Sequence, residues 1–468
     1  MKRFFAALVC AVSVCSLSPL AACSSTSDGV FYDISCSFDG SCFSIDERVD
    51  FPAQKDGLEE VVFNVYPPCF EEGVAFLRNG RLDDEKDLGV TAVEIDGRDA
   101  EYFIEGNALT VKTYKNYDTN EKISVKIKLD YDLPLSDKRF ARTENTVNFG
   151  NFFPTLAVWS DGRFVTTTAT SYGDPFFSAV ASFKVTVTVP STYVVATGAN
   201  AVSLDVDDDK TQYVYEPTRV RDFAFALSEK YEVKSEKWGN KSINYYYYDD
   251  QSPEKTVGAA IEALKYFSSI FGEYPYDGFC VAQTTFSVGG MEYPQTCFLS
   301  DKLDDRDRVF ALVHETAHQW WYAVVGNDQS RESFLDESLA EYSSYLFFDE
   351  HPEYGVSGDE LVKNAAHAAN VCENSMLKAN PDFIPAVSAP LESFGTEYVY
   401  VNMVYDKGLV MMKAAENSVG RKKLVKSLER YFEKYAFSIA DGQAFVVGTG
   451  AAKPIILSFL DGKTRVFI

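Results

Sequence analysis

Val313-His314-Glu315-Thr316-Ala317-His318-Gln319-Trp320-Trp321 is the stretch around which the chain is organised. It reads H-E-x-x-H, and on a helix residues four apart lie one above the other on the same face. His314 and His318 then aim two imidazoles at one point, the spacing that a tetrahedral zinc needs from its first two ligands. Glu315 stands beside them as a general base for a zinc-activated water. The preceding run Val309-Phe310-Ala311-Leu312-Val313 is apolar, as in a buried helix, and Asp304 or Asp305 can cap its start. Of four histidines in the chain, these two carry the motif, while His351 and His367 lack ligand spacing. The pattern predicts that the helix continues to Val325 and stops at Gly326-Asn327-Asp328.

A second helix is expected over Ser333–Tyr342. Ser333 and Asp336 have capping-box spacing, and Asp336 suits a cap. Two helices joined by a short turn pack antiparallel, so the first turn of the second returns to the histidines. Glu337 is thereby placed as third ligand, with a fourth position left for water or substrate. Glu341, one turn on, shares that face and can accept the second N–H of either imidazole; the alternative is a solvated acid.

Eighteen residues separate His318 from Glu337. With the flanks Trp320-Trp321 and Val325-Gly326-Asn327-Asp328, this arrangement resembles the gluzincin metallopeptidases of the aminopeptidase N family. The resemblance implies one Zn2+ per chain and a thermolysin-like, mainly α catalytic domain with a small sheet. It extends to Gly289-Gly290-Met291-Glu292-Tyr293, similar to the family's G-x-M-E-N. There the glycine backbone pairs with substrate at a sheet edge, and the glutamate, here Glu292, binds the free α-amine. Glycine lets a second backbone approach closely, and an extended peptide can add to a sheet edge. Tyr293 stands where the family has asparagine, which bears on strict aminopeptidase specificity. Tyr405-Asp406-Lys407-Gly408 is similar to the family's Y-x-K-G, which implies that the Tyr405 phenol donates to the oxyanion. Tyr398 and Tyr400 are competing tyrosines nearby.

At the other end, Met1-Lys2-Arg3 and the apolar run from Phe4 to Leu17 read as a signal peptide over residues 1–22. Leu20-Ala21-Ala22-Cys23 looks like a bacterial lipobox, with Cys23 as the lipidated residue and 23–29 as a tether. The expectation is an exported protein of the bacterial cell envelope, anchored by lipid with its catalytic domain outside the cytoplasm. Cys36 and Cys42 are close enough for a small loop, and Cys280 and Cys297 could face each other; buried free thiols are the alternative. The formal net charge of −25 argues against nucleic acid and against charge-driven docking on anionic lipid.

Residues 30–235 alternate apolar and polar in strand after strand, as in Val61–Tyr66, Ile123–Leu129 and Ser182–Val189. They read as an all-β domain of saddle or sandwich type. Family likeness continues there in Tyr172-Gly173-Asp174-Pro175-Phe176-Phe177 and Arg221-Asp222-Phe223-Ala224, while Asn151–Pro154 reads as core or cleft wall. Residues 236–468 form the expected catalytic domain, with a strand at Ile243–Tyr248 and an amphipathic helix at Pro253–Phe271. Larger family members continue into a helical domain, and the resemblance carries the expectation of a short form without it. The function implied is zinc-dependent removal of N-terminal residues from peptides. Internal cleavage or dipeptide release on the same chemistry is the alternative, and a non-catalytic binding lipoprotein is a third.

Overall fold

The structure, a computed structural model, describes residues 29–67, 89–168, 170–207 and 209–467. The signal-like segment, Cys23, most of the tether and Cys69 lie outside the described residues. The N-terminal part is all β, as its alternation predicts. Its main sheet has the strands Ala201–Val206, Lys210–Tyr215, Ala181–Pro190, Phe31–Phe38, Cys42–Pro52, Lys122–Asp132, Val90–Ile95 and Arg98–Asp99 side by side, with Thr218–Val220 on Ala181–Pro190. Inward residues such as Val185, Val187, Val189, Ile123, Val125 and Ile127 are all fully buried. Aromatic side chains fill the space behind this sheet: Phe149 stacks on Phe225, and Tyr32 on Phe183.

Smaller sheets complete the N-terminal part, and the sheet of the C-terminal part begins at Glu232–Trp238, which pairs antiparallel with Lys241–Tyr247. The chain therefore crosses between sheets after Ser228, slightly ahead of the residue 235 boundary read from sequence. Lys241–Tyr247, Gly278–Thr284 and Thr296–Ser300 run parallel, and Gly290–Met291 is added antiparallel as the edge strand. One face of this sheet, with Cys280, Ala282, Met291, Tyr293 and Phe298, packs on Tyr66, Phe176, Ala224 and Ala226 of the β domain. The other face, with Phe279, Val281, Cys297 and Leu299, joins the helical core. Parallel strands need both faces covered, and this packing supplies it.

Five helices position the site. They are α1 (Pro253–Phe271), α2 (Asp305–Ala317), α3 (Glu337–Glu350), α4 (Gly358–Ala379) and α5 (Lys407–Val419). Asp304 caps α2 through the amides of Arg306 and Asp307. Two local expectations fail. The first helix ends at His318 rather than Val325, because Tyr322 takes φ 146° and the chain turns. The buried Arg221 of the β domain holds that turn by donating to the carbonyls of Ala323 and Val324. Ser333 does not form a capping box: its hydroxyl has no hydrogen-bond partner among the described residues, and Asp336 caps α3 by accepting from the Glu337 amide at 2.9 Å.

Cys36, Cys42, Cys280 and Cys297 are free thiols. Cys297 pairs in register with Val281, so Cys280 and Cys297 fall on opposite faces of the sheet and cannot meet.

Candidate active site

The last turn of α2 carries His314, Glu315 and, at its C-cap, His318. The first turn of α3 carries Glu337, and the two helices pack together. His314 Nε2 lies 3.1 Å from His318 Nε2 and 3.2 Å from Glu337 Oε2, and His318 Nε2 lies 3.3 Å from that same oxygen. Ligands at about 2.0–2.1 Å from a tetrahedral zinc stand about 3.3–3.4 Å from one another. The triangle of donor atoms therefore fits a zinc ion nearly without adjustment, and all three residues are buried.

The outer contacts fit the same ion. His318 Nδ1 donates to the Trp321 carbonyl at 3.1 Å, which leaves Nε2 as the lone-pair nitrogen facing the cluster. Glu341 Oε1 lies 3.1 Å from His314 Nδ1, a short contact though not aligned as a straight hydrogen bond. Burial pushes the Glu337 carboxyl up, but His318 and His314 outweigh it and hold the group well below the usual carboxylate range. An anion fixed between two imidazoles is the donor set that a divalent cation requires.

Glu315 is buried next to these donors, and burial pushes its pKa up to about 7, with the histidines opposing. Its carboxylate lies against Gly290 of the edge strand, where any Cβ would collide with it. That contact explains why glycine occupies this position. The Tyr405 ring stacks on His314 with centroids 5.9 Å apart. Burial and the Glu337 charge raise its phenol, which keeps it protonated as a donor. Tyr405 sits in a widened turn, Asn402–Asp406, where the Lys407 amide reaches back to Asn402, rather than at the start of a regular helix. Tyr398 is 52% exposed and points to solvent, while Tyr400 is buried with its ring edge-on to Tyr405.

Glu292 is buried and accepts from Gln329 Nε2 at 3.2 Å. Carboxylate oxygens of Glu292, Glu337 and Asp174 lie within 4.8 Å of one another. Sequence reasoning quoted Asp174 only as part of a family-like stretch and gave it no role. It comes from the β domain, and only the tertiary fold brings it here. Arg139 binds it at 2.5 Å and also approaches Met291 Sδ at 2.8 Å, so one buried guanidinium ties the acid to the edge strand. Tyr293, by contrast, is no part of the cleft. Its side chain is fully buried in the domain junction, where its hydroxyl meets Asn151 Oδ1 at 3.1 Å. Gly150 makes room for it, since a Cβ there would collide with the Tyr293 hydroxyl. The exchange of asparagine for tyrosine is thus absorbed on the β-domain side, and Asn151 is a core residue bonded to Tyr293 and Asp222.

Residues 256–460 match the family model of the peptidase family M1 domain. Curated relatives include tricorn protease-interacting factor F2 of Thermoplasma volcanium, 20% identical over 297 residues, covering 60% of this chain and 37% of that protein. Another is aminopeptidase M1-B of Oryza sativa subsp. japonica, 25% identical over 291 residues, covering 58% of this chain and 32% of that protein. The matches thus span about a third of the length of these relatives. Among solved structures, the M1 zinc metallopeptidase of Deinococcus radiodurans has the same fold, with a TM-score of 0.68, 16% identity, and coverage of 93% of this chain and 95% of that one. A variant of that metallopeptidase bound to a Tyr-Ser-Ala substrate superposes with a TM-score of 0.63 at 17% identity, covering 93% of this chain and 95% of that one. The stretch 256–460 is thus similar to the peptidase family M1 domain, and the two histidines and the glutamate that fit zinc lie within it.

Proposed function

We propose that this protein is a zinc-dependent aminopeptidase, removing residues from the free N-terminus of peptides. The observation that carries the exopeptidase part is the group of acids, buried Glu292 with half-buried Asp174, beside the metal cluster at the end of the edge strand. A site closed by carboxylates favours a cationic group there, and the α-amine is the cation that every unblocked peptide carries.

His314, His318 and Glu337 would hold the zinc. When bound, the ion supplies Lewis-acid polarisation of the scissile carbonyl and activation of a water. The remaining work belongs to the chain. The half-buried edge strand at Gly290–Met291, with Gly289 leading into it, aligns an extended peptide along the sheet edge. Glu292 receives the ammonium and so fixes which peptide bond is presented. Glu315 takes the proton from the attacking water and delivers it to the leaving amine, a role suited to a carboxyl with a pKa near 7. The Tyr405 hydroxyl donates to the oxygen that becomes negative in the tetrahedral intermediate.

The test is Glu315→Gln. The variant should bind zinc at wild-type stoichiometry by metal analysis and lose roughly 100-fold to 10,000-fold in turnover. Hydrolysis at a normal rate by the zinc-replete variant would place the base elsewhere.

We further propose that the protein is exported and lipid-anchored through Cys23, on the strength of the charged start, the apolar run and Leu20-Ala21-Ala22-Cys23.

A further inference from the structure

The widened turn that carries Tyr405 is held from outside. Helix α3 has three serines in its first two turns, Ser338, Ser343 and Ser344, all fully buried. Ser343 and Ser344 bond back to the carbonyls of Leu339 and Ala340, four residues earlier, as helix serines commonly do. Ser338 does not. Its hydroxyl reaches across to a different element and donates to the Val404 carbonyl at 2.7 Å. Ser338 is adjacent to the metal ligand Glu337, and Val404 is adjacent to Tyr405. One hydrogen bond thus joins the backbone next to a ligand with the backbone next to the phenol.

Two neighbours enforce it. Gly408 packs directly on Ser338, and a Cβ there would collide with the hydroxyl. Lys407 is fully buried, paired with Glu373 of α4 at 2.6 Å, and donates to the Pro385 carbonyl at 2.6 Å. The other Glu373 oxygen accepts from the Val466 amide at 3.1 Å. The contacts of the lysine and glycine that follow Tyr405 with Glu373 and Ser338 fasten its turn to α4 and α3. A turn of this width rotates every side chain after it, so its register decides where the Tyr405 ring stands over His314.

We propose that Ser338 is a positioning residue for the reaction: through the Val404 carbonyl it fixes the Tyr405 phenol relative to the metal ligands, with Lys407 and Glu373 bracing the turn from the other side. This rests on the role given to Tyr405 above.

A double-mutant cycle on the purified zinc-loaded protein tests it, using a free-amine peptide substrate and a phosphinic pseudopeptide that mimics the tetrahedral intermediate. Misplacing a catalytic group by a fraction of an ångström costs about tenfold or more. Ser338→Ala should lower kcat about tenfold with KM within about twofold, and weaken the phosphinic inhibitor by the same factor. Ser338→Cys, with its weaker donor, should fall between. In a Tyr405→Phe background Ser338→Ala should cost less than about twofold, because there is no hydroxyl left to position. Zinc stoichiometry should stay at the wild-type value throughout. An equal loss in both backgrounds, or no loss in the wild-type background, overturns the proposal while leaving Tyr405 in place. Full activity of Tyr405→Phe alone removes the phenol's role and the positioning with it.

Discussion

Glu292→Gln removes the acid and keeps its shape: burial pushes the Glu292 carboxyl well above the usual range, with His318 opposing, so an incoming ammonium is what draws it into the charged form that the amide cannot adopt. The amide has the same length, and Glu292 sits 3% exposed with one oxygen already accepting from Gln329. The other oxygen is the one free for a substrate ammonium. Asp174 is also near, but Arg139 pairs with it at 2.5 Å and uses much of its charge. The bond to the amine therefore falls chiefly on Glu292. A charge-assisted hydrogen bond of this kind contributes about 1.5–3 kcal/mol. Converted to an equilibrium, that is roughly one to two decades. An N-acetylated peptide carries no ammonium and forgoes the bond in either protein. The assay is kcat/KM for matched pairs of peptides, free and N-acetylated, with wild type and variant at equal zinc content. The variant should lose about 10-fold to 100-fold on free peptides and stay within about threefold on acetylated ones. A parallel fall on both members of each pair would mean that Glu292 orders the cleft and does not read the amine, and the protein would then be an endopeptidase.

Three further outcomes are expected. Glu341→Gln should weaken zinc affinity by about 10-fold to 100-fold in a chelator competition, because its contact with His314 Nδ1 orients a ligand; unchanged affinity would make Glu341 a solvated acid. Glu47 points into the β-domain core, 0% exposed, with no hydrogen-bond partner for either oxygen among the described residues, and burial holds its pKa well above the usual range. A carboxyl raised in the folded state keeps its proton there after the unfolded chain has lost it, so stability is full below about pH 4.3 and declines as pH rises towards the folded value. Glu47→Gln should therefore raise Tm over wild type by more at pH 9 than at pH 5, and an equal gap at both would refute the burial of an unpaired acid. Cys23→Ala should abolish detergent-phase partitioning of the expressed protein, and unchanged partitioning would end the lipid-anchor proposal.

What could be read from sequence was whatever depends on local spacing. The i, i+4 histidines, the Asp304 cap, the helix over Pro253–Phe271 and the alternation of Ala181–Pro190 each follow from a single period or a single cap. Glu337 was legible through its eighteen-residue spacing from His318 and the resemblance that spacing carries, although residues 318–336 that join α2 to α3 are not the short turn expected. What escaped needed a partner from the other domain. The premature end of α2 depends on Arg221 gripping carbonyls more than a hundred residues away in sequence. Asp174 reaches the cluster only through the fold, and Arg139, which holds it, has no local signature. The room for Tyr293 comes from Gly150 and Asn151. The widened turn at Asn402–Asp406 leaves no mark in the sequence, since propensity does not distinguish an i→i+5 turn from an i→i+4 one.

The most direct measurement is the mass spectrum of products from a zinc-loaded soluble form incubated with one peptide in two versions, free and N-acetylated. Stepwise loss of single residues from the free version, an intact acetylated version, and no products after zinc is stripped are the expected results. Internal fragments from both versions, or the same products without zinc, would contradict a metalloaminopeptidase built on His314, His318, Glu337 and Glu292.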